Sequence, residues 1–359
     1  MIMAGGTGGH VYPGLAVADA LMARGAEVIW LGTREGIESR LVPAAGIPVV
    51  WISISGLRGK SLAKRLLSPF RLALAMMQAA VVLLRHRPMA VLGMGGFVAG
   101  PGGLVTWLLR KPLLVHEQNA VVGLTNRLLA PLAKRLFEAF PGSFPRRYHA
   151  VSVGNPVRSS ICQIESPADR FVGRAGPLRL LVVGGSQGAQ IFNTIVPKLL
   201  QQFSLADRPL VRHQTGERHF ELTQAHYHEH EVEADVSAFF GDISEPYAWA
   251  DLVLCRSGAL TVSEIAAAGL AAVFVPYSYA VDDHQTRNAQ YLVEAGAAYL
   301  FHENDLTINK LKVVLDQFVA DAQNKREVLC DMAMKARQLA LPESAKQVAD
   351  AFLEEALRG

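Results

Sequence analysis

The sequence predicts an α/β protein with two doubly wound parallel sheets, and two patterns support this prediction. Short apolar runs alternate with stretches of helical periodicity along the chain, which is typical of parallel strands covered by helices on both faces. A glycine-rich turn follows the strand-like segment 1–4 and again the segment 179–183, about half the chain length later. Because 359 residues exceed the usual size of one domain, we interpret this recurrence as two similar domains rather than chance.

The individual elements follow from the apolar runs and from the residues that interrupt them. The predicted strands are 28–31, 90–92, 113–115, 180–183, 252–254 and 272–275, and the predicted helices include 15–24, 191–203 and 261–268. Only residues 1–4 precede the first glycine pair, so either the first strand is short or residues precede Met1. We place the first domain at 1–155, with the C-terminal helix 343–359 packed back on it, and the second domain at 156–342.

Composition excludes several classes of protein. With 50% hydrophobic and 19% charged residues the chain is too apolar for disorder. Its three cysteines, Cys162, Cys255 and Cys330, are scattered without a CxxC pair, so we expect a reducing compartment and neither a disulfide framework nor a cysteine zinc site. The chain does not begin with a charged segment followed by an apolar stretch and a cleavage site, so we do not expect secretion.

The formal net charge of +3 conceals a basic first third. Residues 57–88 hold seven Lys or Arg residues and no acidic residue. This segment contains an apolar stripe at helical spacing, formed by Leu67, Phe70, Leu74, Met77 and Val81. Basic residues lie at its ends: Lys64, Arg65, Arg85 and Arg87. The uncharged run 72–84 is thirteen residues, against about twenty needed to span a bilayer, so we do not predict a transmembrane helix. The stripe is either a surface for an anionic membrane or the core face of a helix that covers the sheet.

Glycine-rich segments follow three of the predicted strands, at residues 5–9 (the first glycine loop), 93–103 and 184–188. Such turns let backbone N–H groups and a helix N-terminus approach an anion. None completes GxGxxG with an acidic residue after the second strand, and no GxxxxGK[ST] occurs, so we expect neither NAD binding nor a P-loop. Three loops in two domains favour a ligand in a cleft between the domains, whereas tight helix packing is the alternative for any single loop.

Polar side chains at the predicted strand ends are candidates for chemistry. His10 closes the first glycine loop and begins a helix, where it can serve as a general base, although capping or packing beside Tyr12 is the alternative. His116 and Glu117, in the HEQN segment after the strand 113–115, are rival bases or orient His10. Glu264, in a helix after the strand 252–254, can accept hydrogen bonds from sugar hydroxyls, or is a surface residue favoured by the helix dipole.

No metal site is predicted. The histidine-rich tract 226–231 has a polar context, and we interpret it as an exposed loop or helix end. No DxD pair of carboxylates stands near a glycine loop to hold a divalent ion.

Eight segments in order carry a resemblance to a known family: GGTGGHVYPGLAVA, ISGLRGK, VLGMGGFVAGPGG, HEQNAVVGLTNR, VGNPVR, VVGGSQGA, YAWADLVLCRSGALTVSEIAAAGLAAVFVPY and DDHQTRNA. The chain resembles the GT-B glycosyltransferases of bacterial cell-wall synthesis, and among them the N-acetylglucosaminyltransferases that make the last membrane intermediate of peptidoglycan. The resemblance runs nearly end to end. It implies a GT-B fold, in which two Rossmann-like domains face a deep cleft.

The resemblance also implies an activity. GlcNAc would pass from UDP-GlcNAc to the C4 hydroxyl of MurNAc in undecaprenyl-pyrophosphoryl-MurNAc-pentapeptide (lipid I), giving lipid II and UDP with inversion at the sugar. The first domain would serve the acceptor and the membrane, and the second the donor. The enzyme would be peripheral on the cytoplasmic face of the inner membrane, with cell-wall synthesis proteins as further partners, no nucleic acid, and no cofactor besides the substrate UDP-GlcNAc.

Site residues follow from the same resemblance. His10 is the candidate base, Glu117 is its rival or orients it, and Gly95 and Gly96 are candidates for the acceptor pyrophosphate. The donor would be contacted by Thr7, Gly8, Gly9, Asn119, Arg158, Ser186, Phe240, Ala259, Leu260, Thr261, Val262, Ser263, Glu264 and Gln285. Among these, Ser186 would contact the diphosphate, Glu264 the ribose, Gln285 the GlcNAc hydroxyls and the Phe240 backbone the uracil.

Two other functions stay open on the sequence. A UDP-GlcNAc 2-epimerase has a similar two-domain fold but needs no lipid acceptor. A non-catalytic nucleotide-sugar-binding scaffold at the membrane would release no UDP when lipid I is added.

Overall fold

The computed structural model describes residues 1–54, 68–185, 188–278, 283–319 and 322–358, and it divides the chain into two compact units. The first unit comprises Met1–Arg158 and Leu341–Gly359, and the second comprises Ser159–Ala340. Each unit contains one parallel sheet.

The first unit holds a seven-stranded sheet in the order β3-β2-β1-β4-β5-β6-β7. Its strands are β1 (Ile2–Met3), β2 (Trp30–Gly32), β3 (Val49–Trp51), β4 (Val91–Gly93), β5 (Leu113–Glu117), β6 (Arg135–Glu138) and β7 (Val151–Ser152). Its helices are α1 (Gly8–Met22), α2 (Glu38–Ala44), α3 (Ser68–His86), α4 (Gly96–Leu108), α5 (Leu124–Leu129) and, from the C-terminus, α15 (Ser344–Arg358). Apolar clusters form on both faces of this sheet, as expected for parallel strands.

The second unit holds a six-stranded sheet in the order β10-β9-β8-β11-β12-β13. Its strands are β8 (Arg179–Val183), β9 (Leu210–Gln214), β10 (Asp235–Ser237), β11 (Leu252–Cys255), β12 (Ala271–Phe274) and β13 (Ala298–Leu300). Its helices are α6 (Ser159–Cys162), α7 (Pro167–Phe171), α8 (Gln190–Leu200), α9 (Phe220–Glu229), α10 (Ser244–Trp249), α11 (Ala259–Ala268), α12 (His284–Val293), α13 (Ile308–Val319) and α14 (Ala322–Gln338). Both sheets reverse strand order beside their first strand, so the predicted doubly wound α/β class is confirmed.

The C-terminal helix α15 packs against α1 of the first unit. Val348 and Phe352 bury their side chains in the same apolar cluster as Val17 and Leu21 of α1. At the helix surface, ion pairs join Arg24 to Asp350 at 2.7 Å and Arg135 to Glu355 at 2.8 Å.

Two element boundaries differ from the sequence prediction, and each has a physical reason. Helix α1 begins at Gly8, just ahead of His10 where the sequence places the helix start, because Gly8 and Gly9 carry no side chain that periodicity could detect. The glycine-rich segment 93–103 is mostly helix, since α4 begins at Gly96. Within α4 a Cβ on Gly103 would lie 2.7 Å from Leu129 Cδ1 and one on Gly102 would overlap Met3 Sδ, so these glycines admit close packing and form no loop.

Helix α3 exposes the apolar stripe. Its buried row is Ala75, Ala79 and Leu83, whereas the described stripe residues are exposed: Phe70 at 74%, Leu74 at 44%, Met77 at 60% and Val81 at 64%. The core-face interpretation of the stripe is therefore wrong. Leu67, Lys64 and Arg65 lie outside the described residues. A search of the described helices finds none that is both long and apolar enough to cross a membrane.

Candidate active site

Each sheet reverses its strand order between its first strand and the neighbouring strand, and open α/β sheets bind ligands beyond the carboxyl ends of the strands at that point. In the first unit, β1 leads into the first glycine loop (residues 5–9), and β4 leads into residues 93–96, the second glycine loop. In the second unit, β8 leads into Gly184 and Gly185, and β11 leads into the N-terminus of α11.

His10 lies at this position in the first unit, in the first turn of α1. Its Nδ1 is 3.0 Å from Thr7 Oγ1. On the other side, a Cβ on Gly95 would lie 2.5 Å from His10 Cδ2 and 2.8 Å from Nε2, so only glycine allows the ring to pack here. The imidazole is therefore held between the two glycine loops, with a defined partner for one ring nitrogen.

The two glycine loops contact each other directly. Gly95 and Gly96 have φ angles of 93° and 78°, which a residue with a side chain adopts only with strain. A Cβ on Gly96 would overlap the carbonyl oxygen of Gly5. The backbone of the second glycine loop consequently lies against that of the first.

His116 is not available as a base. Its side chain is fully buried, Nε2 lies 2.9 Å from the Gly154 carbonyl oxygen, and Nδ1 lies 3.1 Å from Gln118 Nε2. These partners assign the hydrogen to Nε2 and the lone pair to Nδ1. Burial lowers the pKa of His116 to about 4, so the ring is neutral near pH 7.

Replacing His116 by glutamine is expected to make the first unit less sensitive to acid. Because burial lowers the folded pKa to about 4 from 6.5, the stability that neutral His116 provides is present above pH 6.5 and is lost as pH falls toward 4. His116→Gln should remove up to about 1.4 kcal/mol per pH unit from the slope of the unfolding free energy in that window. Hydrogen exchange of peptides from β4 and β5, corrected for intrinsic rates, measures this slope.

His86→Gln, at an exposed position in the last turn of α3, is the matched control and should leave the slope unchanged. An equal slope in wild type and His116→Gln would contradict a neutral, buried His116.

Glu117 organises the loop that follows β5. Its Oε1 accepts the backbone N–H of Asn119 at 2.9 Å, and its Oε2 accepts Asn126 Nδ2 at 2.9 Å and the Gly123 N–H at 3.0 Å. Burial raises the pKa of Glu117, and the N–H donors lower it by less. The carboxylate is 2% exposed, so these contacts favour an orienting role toward Asn119 over proton abstraction from a substrate.

Most of the HEQN segment therefore serves the interior of the first unit rather than a ligand. His116, Glu117 and Gln118 are buried and form hydrogen bonds with other residues of the first unit. Asn119 alone is partly exposed. Polar residues at a strand end can serve either a ligand or the loops that surround one, and sequence does not separate these roles.

Arg158, the last residue of the first segment of that unit, stacks on an aromatic ring. Its Cζ is 5.2 Å from the centroid of Tyr12, a residue of α1. The same ring packs beside Gly8, where an added Cβ would lie 3.2 Å from Tyr12 Cε2. Gly8 and Arg158, two residues predicted to contact the donor, thus both lie against the Tyr12 ring.

In the second unit, Glu264 lies in the second turn of α11 and is 6% exposed. Tyr247 donates its hydroxyl to Glu264 Oε2 at 3.3 Å. The surface interpretation of Glu264 is therefore wrong, because the residue is buried and hydrogen-bonded. Around it Leu260, Thr261 and Ser263 are partly exposed, whereas the side chains of Ala259 and Val262 are buried, so only their backbones can approach a ligand.

Two arginines hold the other end of α11. Arg170 Nη1 donates to the Ala268 carbonyl at 2.8 Å and Arg170 Nη2 to the Gly269 carbonyl, while Arg337 donates to Ala267. Cations at a helix C-terminus balance its partial negative charge. Burial, together with the neighbouring arginines, lowers the pKa of Arg170 to about 10, and the group remains charged near pH 7. This arrangement fixes the helix that carries Glu264.

The remaining donor candidates are distributed over the second unit. Gln285, in the first turn of α12, accepts the Tyr277 N–H through Oε1 at 2.9 Å, which orients its amide. The Phe240 N–H donates to Gln214 Oε1 at 3.1 Å. Ser186 lies outside the described residues. The tract 226–231 falls at the end of α9, and the described part of the chain has no group of three or more His, Cys, Asp or Glu placed to hold a metal.

Sequence reasoning missed Glu38, Tyr247 and Asn126. No acidic residue stands directly after β2, but Glu38 begins α2, and its Oε2 accepts the Gly6 N–H at 3.0 Å. Spacing could have pointed to Glu38, since it follows β2 closely. Tyr247 carries no comparable signal, because only the fold brings it to Glu264.

Comparison with known protein families decides which family the chain belongs to. Residues 1–138 match the model of the glycosyltransferase family 28 N-terminal domain, and residues 179–348 match the model of its C-terminal domain. The chain belongs to glycosyltransferase family 28.

A relative from Nitrosococcus oceani is 53% identical to this family 28 chain. The matched region covers 99% of this chain and 98% of the relative. It is named UDP-N-acetylglucosamine–N-acetylmuramyl-(pentapeptide) pyrophosphoryl-undecaprenol N-acetylglucosamine transferase. Among solved structures, MurG of Acinetobacter baumannii is 40% identical with a TM-score of 0.84, covering 99% of each chain.

A UDP-GlcNAc 2-epimerase from Neisseria meningitidis, bound to UDP-GlcNAc, shares the fold of the family 28 chain. Its TM-score is 0.66 over all of this chain and 99% of the epimerase, but its sequence identity is 12%. This likeness shows the fold alone. By contrast, the transferase from Nitrosococcus oceani is identical at about half of the residues over its full length.

Proposed function

We propose that this family 28 chain transfers GlcNAc from UDP-GlcNAc to the C4 hydroxyl of MurNAc in lipid I, giving lipid II and UDP. The observation that carries the chemistry is the His10 imidazole, held between Thr7 and Gly95 where the first sheet reverses its strand order. The names of full-length relatives at about 50% identity support the two substrates.

His10 is the base in this proposal. For Nε2 to accept the proton of the C4 hydroxyl, Nδ1 must carry the other hydrogen and donate it to Thr7 Oγ1, 3.0 Å away. The hydroxyl oxygen then attacks the anomeric carbon of GlcNAc from the face opposite UDP, and the bond from that carbon to the β-phosphate oxygen breaks. The sugar inverts from α to β, the proton stays on His10, and UDP leaves with the electron pair.

In this proposal the first unit serves the acceptor and adds contacts to the donor, and the second unit serves the donor. Gly95 and Gly96 offer backbone groups to the acceptor pyrophosphate. In the second unit, buried Glu264 accepts the ribose hydroxyls and the oriented amide of Gln285 holds the GlcNAc hydroxyls. Because the Phe240 N–H donates to Gln214, we assign its carbonyl to uracil. The first glycine loop with Asn119 and Arg158, and Ser186 with the first turn of α11, complete the donor contacts.

No cofactor is required for this chemistry. Charge develops on the leaving diphosphate, and backbone N–H groups at a helix N-terminus stabilise such charge in a preorganised way. Helix α11 begins without an acidic residue in its first turn, which favours an anion there. We also assign the Arg158 guanidinium, stacked on Tyr12 in the first unit, to the donor.

The exposed apolar stripe of α3 supports docking of the enzyme on the membrane that carries its acceptor. Its exposed residues Phe70, Met77 and Val81 have basic neighbours in Arg71 and Arg85, which are also exposed. Further exposed apolar residues, Trp107 and Leu108, end the adjacent helix α4. Such a surface inserts into the headgroup region of an anionic leaflet, so we propose a peripheral location on the cytoplasmic face of the bacterial inner membrane.

The deciding experiment follows radiolabelled GlcNAc with and without lipid I. The expected result is labelled lipid II and one UDP per transfer, only when the acceptor is present. Conversion of UDP-GlcNAc to UDP-ManNAc without acceptor would establish an epimerase instead. Binding of UDP-GlcNAc with no UDP release on adding lipid I would establish a non-catalytic scaffold.

Replacing Glu264 by glutamine is expected to weaken donor binding selectively. The neutral amide is a poorer acceptor for two ribose hydroxyls, so KM for UDP-GlcNAc should rise about 10- to 100-fold. KM for lipid I should change little. Tyr247→Phe, which removes the hydroxyl that contacts Glu264, should raise the donor KM by a smaller factor. An unchanged donor KM in Glu264→Gln would remove the residue from the ribose site.

A further inference from the structure

A buried carboxylate that has no part in the proposed mechanism binds the backbone of the first glycine loop. Glu38, the first residue of α2, is fully buried. Its Oε2 accepts the Gly6 N–H at 3.0 Å. Its Oε1 accepts the Thr33 N–H at 3.0 Å and the Thr33 hydroxyl at 2.7 Å. One side chain thus joins the loop after β1 to the loop after β2.

Three glycines provide the space for this carboxylate. A Cβ on Gly5 would lie 2.5 Å from Glu38 Oε1, and one on Gly32 would lie 2.9 Å from Glu38 Cγ. A Cβ on Gly36 would overlap both carboxylate oxygens. A side chain at any of these three positions would therefore displace Glu38 from its contacts.

The contacts of Glu38 continue to His10 through the backbone. Gly6, whose N–H it binds, has a φ of 96° and directly precedes Thr7, the partner of His10 Nδ1. Gly5, packed against the carboxylate, lies with its carbonyl against Gly96 of the second glycine loop. A shift of the carboxylate would therefore displace Thr7 and the second glycine loop, which hold the His10 ring on its two sides.

We propose that Glu38 is a positioning residue for transfer: its two side-chain oxygens act as fixed internal acceptors that set the first glycine loop, and through Thr7 they set the orientation of His10. In dinucleotide-binding folds the acidic residue after the second strand binds a ribose hydroxyl. Here the acidic residue points inward and occupies a loop N–H, so the loop is preorganised without a ligand. This inference rests on the proposed transferase function.

The first test combines Glu38→Gln with His10→Ala. Glutamine has one acceptor oxygen where the carboxylate has two, so one of the two loops loses its acceptor. Glu38→Gln is expected to lower kcat about 10- to 100-fold, because small displacements of a catalytic group have effects of this size. In the His10→Ala background the same change should lower the residual kcat less than about twofold, since residues acting through one group are not additive.

The matched control is Glu35→Gln, which removes the same charge from an exposed position three residues earlier. It should leave kcat unchanged in both backgrounds. A fall in kcat for Glu38→Gln that is equally large with and without His10 would overturn the positioning role. So would a kcat equal to that of Glu35→Gln.

A second test uses the crowding at Gly36. Gly36→Ala should reproduce the loss of kcat, because its methyl group displaces the carboxylate. In Gly36→Ala/Glu38→Ala the methyl group has space, so the double variant should be no worse than Glu38→Ala alone. Additive losses would contradict direct contact between the two positions.

Hydrogen exchange of the Gly6 amide separates failure of this inference from failure of the proposed function. Faster exchange in Glu38→Gln than in Glu35→Gln is expected whatever reaction the protein catalyses. If wild type transfers no GlcNAc, the proposed function fails while this readout still reports on the loop. If wild type transfers GlcNAc and the Gly6 amide exchanges equally in both variants, the positioning role fails alone.

Discussion

Replacing His10 by alanine is expected to lower kcat for GlcNAc transfer about 100- to 10,000-fold, the usual contribution of a positioned general base. The acceptor hydroxyl loses the group that removes its proton, while the glycine loops and the donor contacts of the second unit remain. KM for UDP-GlcNAc should therefore change little. Steady-state kinetics with lipid I in detergent or vesicles measures both parameters.

His228→Ala, at an exposed position on α9, is the control for loss of an imidazole and should leave kcat unchanged. Glu117→Gln tests the rival base. Because Glu117 orients Asn119 and holds the loop through Gly123 and Asn126, its replacement should lower stability together with activity. Near wild-type turnover in His10→Ala, with a loss of several orders of magnitude in Glu117→Gln at unchanged stability, would reverse the assignment.

The double substitution Met77→Glu/Val81→Glu is expected to weaken binding to anionic vesicles at least about 100-fold, since two apolar side chains leave the membrane and two charges oppose it. Both residues are more than half exposed on α3, so the fold should tolerate the change. Sedimentation with vesicles of phosphatidylglycerol and neutral lipid measures the binding. Wild-type binding should weaken with salt and require the anionic lipid.

Exposed apolar residues of the second unit supply the matched control. Leu222→Glu/Val313→Glu changes two similarly exposed side chains on α9 and α13 and should not affect vesicle binding. Transfer to an acceptor with a short, water-soluble prenyl chain should be unchanged by Met77→Glu/Val81→Glu. Equal vesicle binding by wild type and this variant, or indifference of wild type to anionic lipid, would contradict the membrane-docking surface.

Much of the fold could be predicted because parallel strands covered on both faces leave a direct trace in sequence. The runs around residues 113–115 and 252–254 became β5 and β11 with boundaries shifted by two residues or fewer. Where the apolar pattern was weak, the predicted ends of the elements were wrong. Gly8 and Gly9 begin α1 just ahead of His10 without side chains that could mark the start, and the glycines of α4 resemble a loop although they pack a helix against Met3 and Leu129.

The candidate site was predictable as a set of segments and less so as a set of roles. HEQN lies at the carboxyl end of β5, which includes His116 and Glu117, yet three of its side chains serve the interior of the first unit. The stripe of α3 could equally have faced the core, because a helical period of apolar residues does not state which side the sheet occupies. Burial of Ala75, Ala79 and Leu83 on the opposite face resolved this.

The two parallel sheets, the glycine-rich turns and the family could be predicted from the sequence, since they depend on local apolar periods and on ordered motifs. The roles of the individual polar groups became clear only from the contacts that the folded chain makes. The fold placed His10 between Thr7 and Gly95, set His116 and Glu117 inside, and brought Glu38 to Gly6 and Tyr247 to Glu264. The physical reason is that a buried polar side chain must find a partner, and such partners are far apart in sequence until the sheets form.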